Sequence, residues 1–549
     1  MNLNHSSLWA GLCLGGGVFC ATPALAADWP TTAEACQQLV QKALPDVKIT
    51  EAERVKSGKV KLDKTSALTG ASGDGLQLPA HCLVRGMIGE HVGPNGKTYG
   101  TRFELRMPDN WQGRFIFQGG GGLDGFLGLA IGSIPSRGST ATPSLVRGYA
   151  VVSMDGGHEG RDASFAVDQQ ARLDYAYAAI GKVTQQAKYL VSNYYGSQIK
   201  YSYFMGCSNG GREAMLAAQR YPLEFNGVVV GNPGFRLSRA AIGEAWDTQK
   251  LLAVAPKDAQ GRPVLSQALT QSDLTLVSQA VLKACDDQDG LKDGIINNYP
   301  ACHFDPSVLQ CKAGQSQDCL PADKIAAIKL VFSGAKDSSG KPLYSSWPYD
   351  SGLDTDAWRK WKLGTSTDAT KPDARNIVLG TDSLFHYYMT PARANGEMTQ
   401  FDFDHDPALL DEMSGLNDAI STEMSTYVAR GGKMVIFQGL SDPVFSAHDI
   451  QRWYETTIAN TSKGDINHQK DWSRLFMVPG MNHCGEGPAL DNFDPLTAIQ
   501  AWVETNKAPD YLPATGKAFP GKHQPICAYP QTAHYRGGDV NKLSSYQCL

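Results

Sequence analysis

Ser208 stands in Gly206-Cys207-Ser208-Asn209-Gly210, between the apolar run Tyr201-Ser202-Tyr203-Phe204-Met205 and a helical pattern from Gly211 to Tyr221. A Gly-x-Ser-x-Gly pentapeptide alone is a weak signal, since about 0.4 matches arise by chance in a chain of this length and glycine content. Its setting raises it. A tight strand-to-helix turn lifts a serine hydroxyl above a sheet edge, and small neighbours let strand and helix pass close together. Serine is a poor nucleophile near neutral pH; it needs an imidazole to take its proton and a carboxylate to hold that imidazole in one tautomer. Asp442 follows the apolar run Lys433 to Gln438 in Gly439-Leu440-Ser441-Asp442-Pro443, and His483 follows Leu475 to Pro479 in Gly480-Met481-Asn482-His483-Cys484. The order Ser, Asp, His is one in which this chemistry recurs. Asp449, His448 and His158 are rivals in poorer positions. Acyl transfer also requires donors to an oxyanion. The run Gly119-Gly120-Gly121-Gly122 follows the strand-like Arg114 to Gln118, so the N–H groups of Gly121 and of Asn209 are the candidate pair.

The elements needed to position these groups are legible as a rhythm. Over about 115 to 235, strand-like runs alternate with helical patterns: Arg114 to Gln118, Tyr149 to Met154, a helix marked by Leu173, Tyr177, Ile180, Val183, Ala187 and Leu190 and closed by Gly196, then Tyr201 to Met205, Gly211 to Tyr221, and Gly227 to Val230. Such alternation implies an α/β fold with a parallel sheet. From 236 to 428 it gives way to helical pieces, acidic loops and four cysteines, which reads as an inserted lid. The strands resume with Lys433 to Gln438 and Leu475 to Pro479, followed by a helix from Pro495 to Thr505. The catalytic domain is thus 27–235 and 429–549, with a tail beyond about 508 held by Cys527 and Cys548.

Composition narrows the class. Charged residues make up 19% and apolar ones 42%, the net charge is −5, and there is no basic run, so the partner is a small molecule and not a nucleic acid. No apolar run beyond the N-terminus reaches the length of a membrane span. Leu8 to Phe19 followed by Ala24-Leu25-Ala26 reads as a signal peptide over 1–26, although that segment lacks Lys and Arg. Its removal would leave an even number of cysteines, suited to disulfides in a periplasmic or secreted protein.

Two of those cysteines flank the catalytic candidates: Cys207 precedes Ser208 and Cys484 follows His483. A disulfide between them would pin nucleophile to base across the chain. Cys-Ser, Asp and His-Cys in this order resemble the tannase and feruloyl esterase family over nearly the whole mature chain. That resemblance implies an α/β-hydrolase fold with an inserted lid, a bond between the two motif cysteines, and esters of aromatic acids of feruloyl, galloyl or terephthaloyl monoester type as substrates. It further implies the pairs Cys36 with Cys82, Cys285 with Cys302, Cys311 with Cys319, and Cys527 with Cys548.

The resemblance also assigns a structural calcium to Cys285-Asp286-Asp287-Gln288-Asp289-Gly290-Leu291-Lys292-Asp293-Gly294-Ile295, through the carboxylates of Asp286, Asp289 and Asp293 and the carbonyls of Leu291 and Ile295. Closely spaced carboxylates with interleaved glycines suit a hard cation, but this is no EF-hand, having neither its first Asp nor its final Glu. In the lid, Trp358-Arg359-Lys360-Trp361 and His386-Tyr387-Tyr388 are candidates to grip an aromatic acid, with Arg359 pairing a free carboxylate. The competing classes are a peptidase or acyltransferase using the same triad, and a non-catalytic, calcium-dependent binding protein on a hydrolase fold.

Overall fold

The computed structural model describes residues 31–60 and 75–549; the signal peptide read at 1–26 lies outside them. One sheet of nine strands organises the chain. In chain order these are β1 (Val47–Val55), β2 (His81–Val92), β3 (Thr98–Pro108), β4 (Arg114–Gln118), β5 (Tyr149–Met154), β6 (Tyr201–Cys207), β7 (Gly227–Gly231), β8 (Lys433–Gly439) and β9 (Ser473–Val478). Across the sheet the order is β1-β2-β3-β5-β4-β6-β7-β8-β9. The first three strands run antiparallel, and β5 onward is parallel. This mixed sheet with covering helices is an α/β-hydrolase fold, as the family resemblance implies, and its parallel part is the one implied by the strand rhythm.

Strands β5, β7 and β9 are buried along their whole length, because helices cover both faces of the parallel region. Their side chains still alternate between two cores. Phe115, Phe117, Val152, Phe204, Val228, Ile436 and Leu475 face one, shared with the helices Ala179–Tyr195, Asn209–Arg220 and Ala447–Asn460. Ile116, Val151, Tyr203, Met205, Val229, Phe437 and Phe476 face the other, shared with the helix Pro495–Thr505. The helix ending at Tyr195 is closed by Gly196 in the left-handed conformation, φ 62°, as the glycine just past the periodic pattern requires.

The chain leaves the sheet after Gly231 and returns at Lys433. Most of this insertion has a core of its own, built on Ala241, Leu265, Val281, Ile328, Trp358, Phe385 and Tyr388, and closed from the sheet side by Phe165, Tyr175, Val444 and Phe445. Its last stretch differs: Ala419, Met424 and Tyr427 pack into the core beneath the sheet, so in packing terms the insertion ends before the boundary at 428 that loss of strand rhythm suggests. The three antiparallel strands β1 to β3 went unread in the sequence. Their burial is interrupted, with Arg85, Glu51 and Glu104 forming ion pairs across them, and such strands lack the continuous apolar runs of the parallel region.

Candidate active site

Strand β6 ends at Cys207 and the next helix begins at Asn209, leaving Ser208 as the only residue of the turn. Its backbone adopts φ 65° and ψ −125°, a conformation that costs a non-glycine residue roughly 1–3 kcal/mol and persists where the surroundings impose it. The surroundings are tight: a Cβ on Gly119 would lie 2.7 Å from Gly210 Cα. The glycine loop and the elbow therefore touch backbone to backbone, which puts Ser208 and Gly119 to Gly122 on one cavity wall.

Asp442 and His483 lie on the loops after the adjacent strands β8 and β9, so sheet order brings together residues 41 apart in sequence. His483 Nδ1 is 2.9 Å from Asp442 Oδ2. Asp442 is buried and its Oδ2 also accepts from Asn232 Nδ2 at 2.7 Å and Gln438 Nε2 at 3.2 Å, while Oδ1 accepts the N–H groups of Val444 and Phe445 at 2.9 and 3.2 Å. Burial opposes its charge, but the charge and hydrogen bond of His483, with those from Asn232 and Val444, outweigh burial and hold the carboxyl below its ordinary range. The imidazole is braced edge-on by Trp361 and Phe445, ring centres 5.6 and 5.4 Å away.

Cys207 and Cys484 are joined, with Cα atoms 6.1 Å apart across 277 residues. This bond ties the residue before Ser208 to the residue after His483. The other described cysteines form the pairs Cys36–Cys82, Cys285–Cys302, Cys311–Cys319 and Cys527–Cys548.

A cavity of about 450 Å³ opens over these groups, lined by Ser208, His483, Gly119 to Gly122, Trp361 and Arg375 among others. Within the loop, Gly119 N–H donates to Met205 O and Gly120 N–H to Glu213 Oε2, both at 2.9 Å, while Gly121 and Gly122 line the cavity. Arg137, Arg161 and Arg375 also line it. Arg375 lies over the Trp361 ring at 5.4 Å and Arg161 over Phe126 at 5.2 Å. Burial lowers the Arg137 guanidinium from its usual range, opposed by the charge of Glu486.

Several sequence candidates lie elsewhere. Arg359 donates to the carbonyls of Leu269, at 3.0 Å, and Ser266, so the helix Asp356–Lys362 turns Trp361 toward the cavity and Arg359 away from it. Arg375, the first residue of the next helical segment, Arg375–Val378, is a cation that does line the cavity. Tyr387 and Tyr388 are wholly buried in the insertion core, and His386 bonds Asp382 and the carbonyl of Ala394. Among the rivals, Asp449 pairs with Arg236, His448 with Ser346, and His158 stacks on Phe165. Sequence reasoning missed Asn232 and Asp350. Asn232 follows β7 at φ 34° and is signalled only as a polar residue at a parallel strand's C-terminal end. Asp350, from the insertion, accepts from Ser441 Oγ and Gly480 N–H, both at 2.7 Å, joining the Asp442 and His483 loops.

The carboxylates of the acidic loop find partners in the loop and in the C-terminal segment. Asp286 accepts the N–H groups of Asp293 and Gly294, Asp289 those of Leu291 and Asn297, and Asp293 faces Lys522 Nζ and Gln524 Nε2. Among the described residues no three acidic, histidine or cysteine side chains converge as metal ligands. Burial raises the Asp289 carboxyl to about 6, a charge penalty that a cation would relieve, but such an ion would share Asp293 with Lys522.

The family model for tannase and feruloyl esterase matches residues 86–549. The chain belongs to the tannase and feruloyl esterase family. It is a carboxylic ester hydrolase. It is 38% identical over 527 residues to mono(2-hydroxyethyl) terephthalate hydrolase of Piscinibacter sakaiensis, covering 87% of this chain and 86% of that protein. It is 26% identical over 490 residues to a probable feruloyl esterase of Arthroderma benhamiae, covering 83% and 84%. In fold it is similar to feruloyl esterase B from Aspergillus oryzae, with TM-score 0.76 and 23% identity over 94% of this chain and all of that one. The tannin acyl hydrolase from Aspergillus niger gives TM-score 0.71 and 22% identity, covering 95% and 96%. Among the described residues no helix is long and apolar enough to cross a membrane.

Proposed function

We propose that this family member is an exported serine esterase that cleaves esters of aromatic acids bearing a second anionic group, with Ser208, His483 and Asp442 as its triad. The observation that carries the proposal is one cavity lined by a serine on a strained turn, a carboxylate-held imidazole and a bare glycine loop. His483 takes the Ser208 proton, and the alkoxide attacks the ester carbonyl. The N–H groups of Gly121 and Asn209 hold the oxyanion as it forms. Protonated His483 then donates to the leaving alcohol, and water, deprotonated in turn by His483, releases the acid from the acyl-enzyme. Asp442 fixes the tautomer of His483 throughout.

The rest of the cavity lining supports this choice of acid. Trp361 lines the cavity with Arg375 over its ring, and Arg375, Arg137 and Arg161 outnumber the acidic residues of the lining, Glu486 and the buried Asp124. A terephthaloyl monoester, similar to the substrate in the name of the Piscinibacter relative, has this chemistry. Export suits the five disulfides, which persist in oxidising compartments. The insertion acts as the lid, and the loop 285–295 as a structural calcium site.

Hydrolysis of a terephthaloyl monoester, its methyl-capped neutral diester, and feruloyl and galloyl esters tests this directly. Wild type should prefer the charged monoester, and Arg375→Ala should raise KM for it at least about 10-fold while leaving the neutral diester nearly unchanged. Ser208→Ala should abolish both hydrolysis and fluorophosphonate labelling; hydrolysis at the wild-type rate by that variant would rule out the mechanism.

A further inference from the structure

Two carboxyl groups beside the glycine loop, Asp124 at the cavity wall and Glu213 behind it, are not used by the catalytic steps above. Asp124 and Glu213 are both buried, at 1% and 1% exposure, and their side chains touch. Glu213 Oε2 accepts the N–H of Gly120 at 2.9 Å, and Glu213 Oε1 accepts from Asn209 Nδ2 at 3.2 Å. The same Asn209 Nδ2 donates to Asp124 Oδ1 at 2.5 Å. Asp124 N–H in turn donates to Gly121 O at 3.0 Å. Two carboxyls thus fasten one end of the glycine loop to the first residue of the helix after Ser208. Gly120 leaves room for this: a Cβ there would collide with Asp124 Oδ2.

Charge and hydrogen bonding fix how many protons the pair holds. Asp124 Oδ2 is buried and meets no donor, and its neighbour is the Glu213 carboxyl, both of whose oxygens already accept hydrogen bonds. A proton on Asp124 would let this carboxyl donate to Glu213. One proton also closes the local charge, because a single carboxylate remains and Arg212 balances it. That guanidinium, fully buried, donates to Asn209 Oδ1 at 2.7 Å and to the carbonyls of Ala176, Asn417 and Tyr175. Two ionised carboxylates against one guanidinium would leave an uncompensated buried charge, which is strongly unfavourable.

We infer that Asp124 and Glu213, holding one proton between them, form a clamp that sets the separation of the Gly121 and Asn209 N–H groups. Both are positioning residues for the oxyanion, an assignment that rests on the donors proposed above. Burial, then the charge of Glu213, hold the Asp124 carboxyl well above the usual carboxylate range, against the pull of Arg212 and Asn209. The other charged or titratable groups facing the pair are Tyr175, and beyond Gly156 the buried Asp155 with its partner Arg102. As pH rises through the raised value the proton leaves, the two carboxylates repel, and the loop separates from the helix. Turnover should therefore fall on the alkaline side without a matching change in KM.

The test compares Asp124→Ala, Asp124→Asn and Glu213→Gln in the full chain, with kcat and KM followed across pH and folding checked by circular dichroism. Asp124→Ala and Glu213→Gln should lower kcat by about 10- to 100-fold with KM within about 3-fold, as displaced oxyanion donors do. Asp124→Asn can still accept from Asn209 and donate to Glu213 but has no proton to lose. It should restore most of the turnover lost in Asp124→Ala and abolish the alkaline fall. A folded Asp124→Ala with wild-type kcat, or an Asp124→Asn enzyme with the wild-type pH profile, would overturn the clamp; the second measurement decides alone if Asp124→Ala does not fold. Failure of wild type to be labelled by a fluorophosphonate would instead remove the serine mechanism beneath it.

Discussion

Asp442 receives hydrogen bonds from His483, Asn232, Gln438 and two backbone N–H groups, which suits the orienting role proposed for it, and the cost of changing it is calculable in kind. In Asp442→Asn the amide cannot accept from His483 Nδ1–H in the same way, and the imidazole loses the tautomer that takes the serine proton. We expect kcat to fall by about 10³- to 10⁴-fold with little change in KM, measured on a saturating aromatic ester with the fold verified by circular dichroism; a loss below tenfold would show that His483 is held by other means. Asp442 and His483 were readable because each follows a strand and stands in the right order. Asn232 was not, since nothing about a polar residue after a strand says that its amide reaches a carboxylate 210 residues away.

At the scale of elements, two ties hold the site in register. The Cys207–Cys484 bond joins the elbow after β6 to the loop after β9, and Asp350 joins the Asp442 and His483 loops from the insertion. The strained Ser208 backbone and the left-handed Cys484, φ 64°, sit at the ends of the first tie. Replacing both cysteines, Cys207→Ala with Cys484→Ala, should lower the melting temperature, as removal of a bond closing so long a loop costs about 2–5 kcal/mol. It should also lower kcat more than that loss of stability explains at a temperature where the variant is folded. Wild-type turnover by the folded double variant would reduce the bond to a staple. The helix Asp356–Lys362 shows why substrate contacts were poorly legible: Arg359 and Trp361 are two residues apart, and helical pitch sends them in different directions.

For the whole molecule, the insertion stands over the cavity on a core that is largely separate from the sheet. The loop 285–295 joins it to the C-terminal segment through Lys522 and Gln524 against Asp293. If calcium occupies that loop, it stabilises the native state alone, and at 100 times its Kd would add about 2.7 kcal/mol. Differential scanning calorimetry with chelator and with added calcium should then show a lower melting temperature without the ion. An unchanged melting temperature would mean that Lys522 serves as the loop's only cation.

The sequence by itself determined the parallel half of the sheet, the elbow and the order of the three catalytic candidates. Apolar runs bounded by glycine are local, and a strand-to-helix turn places its residue at the sheet edge whatever surrounds it. Cys207 and Cys484 added a distant constraint because each is tied by one residue to a group whose place was already known. Tertiary structure alone decided the rest: Asn232 and Asp350 as hydrogen-bond partners of the two loops, Arg375 and not Arg359 at the cavity, and the Asp124–Glu213 pair beside the glycine loop. Each depends on where a side chain points after elements far apart in sequence have packed, and neither spacing nor composition encodes that direction.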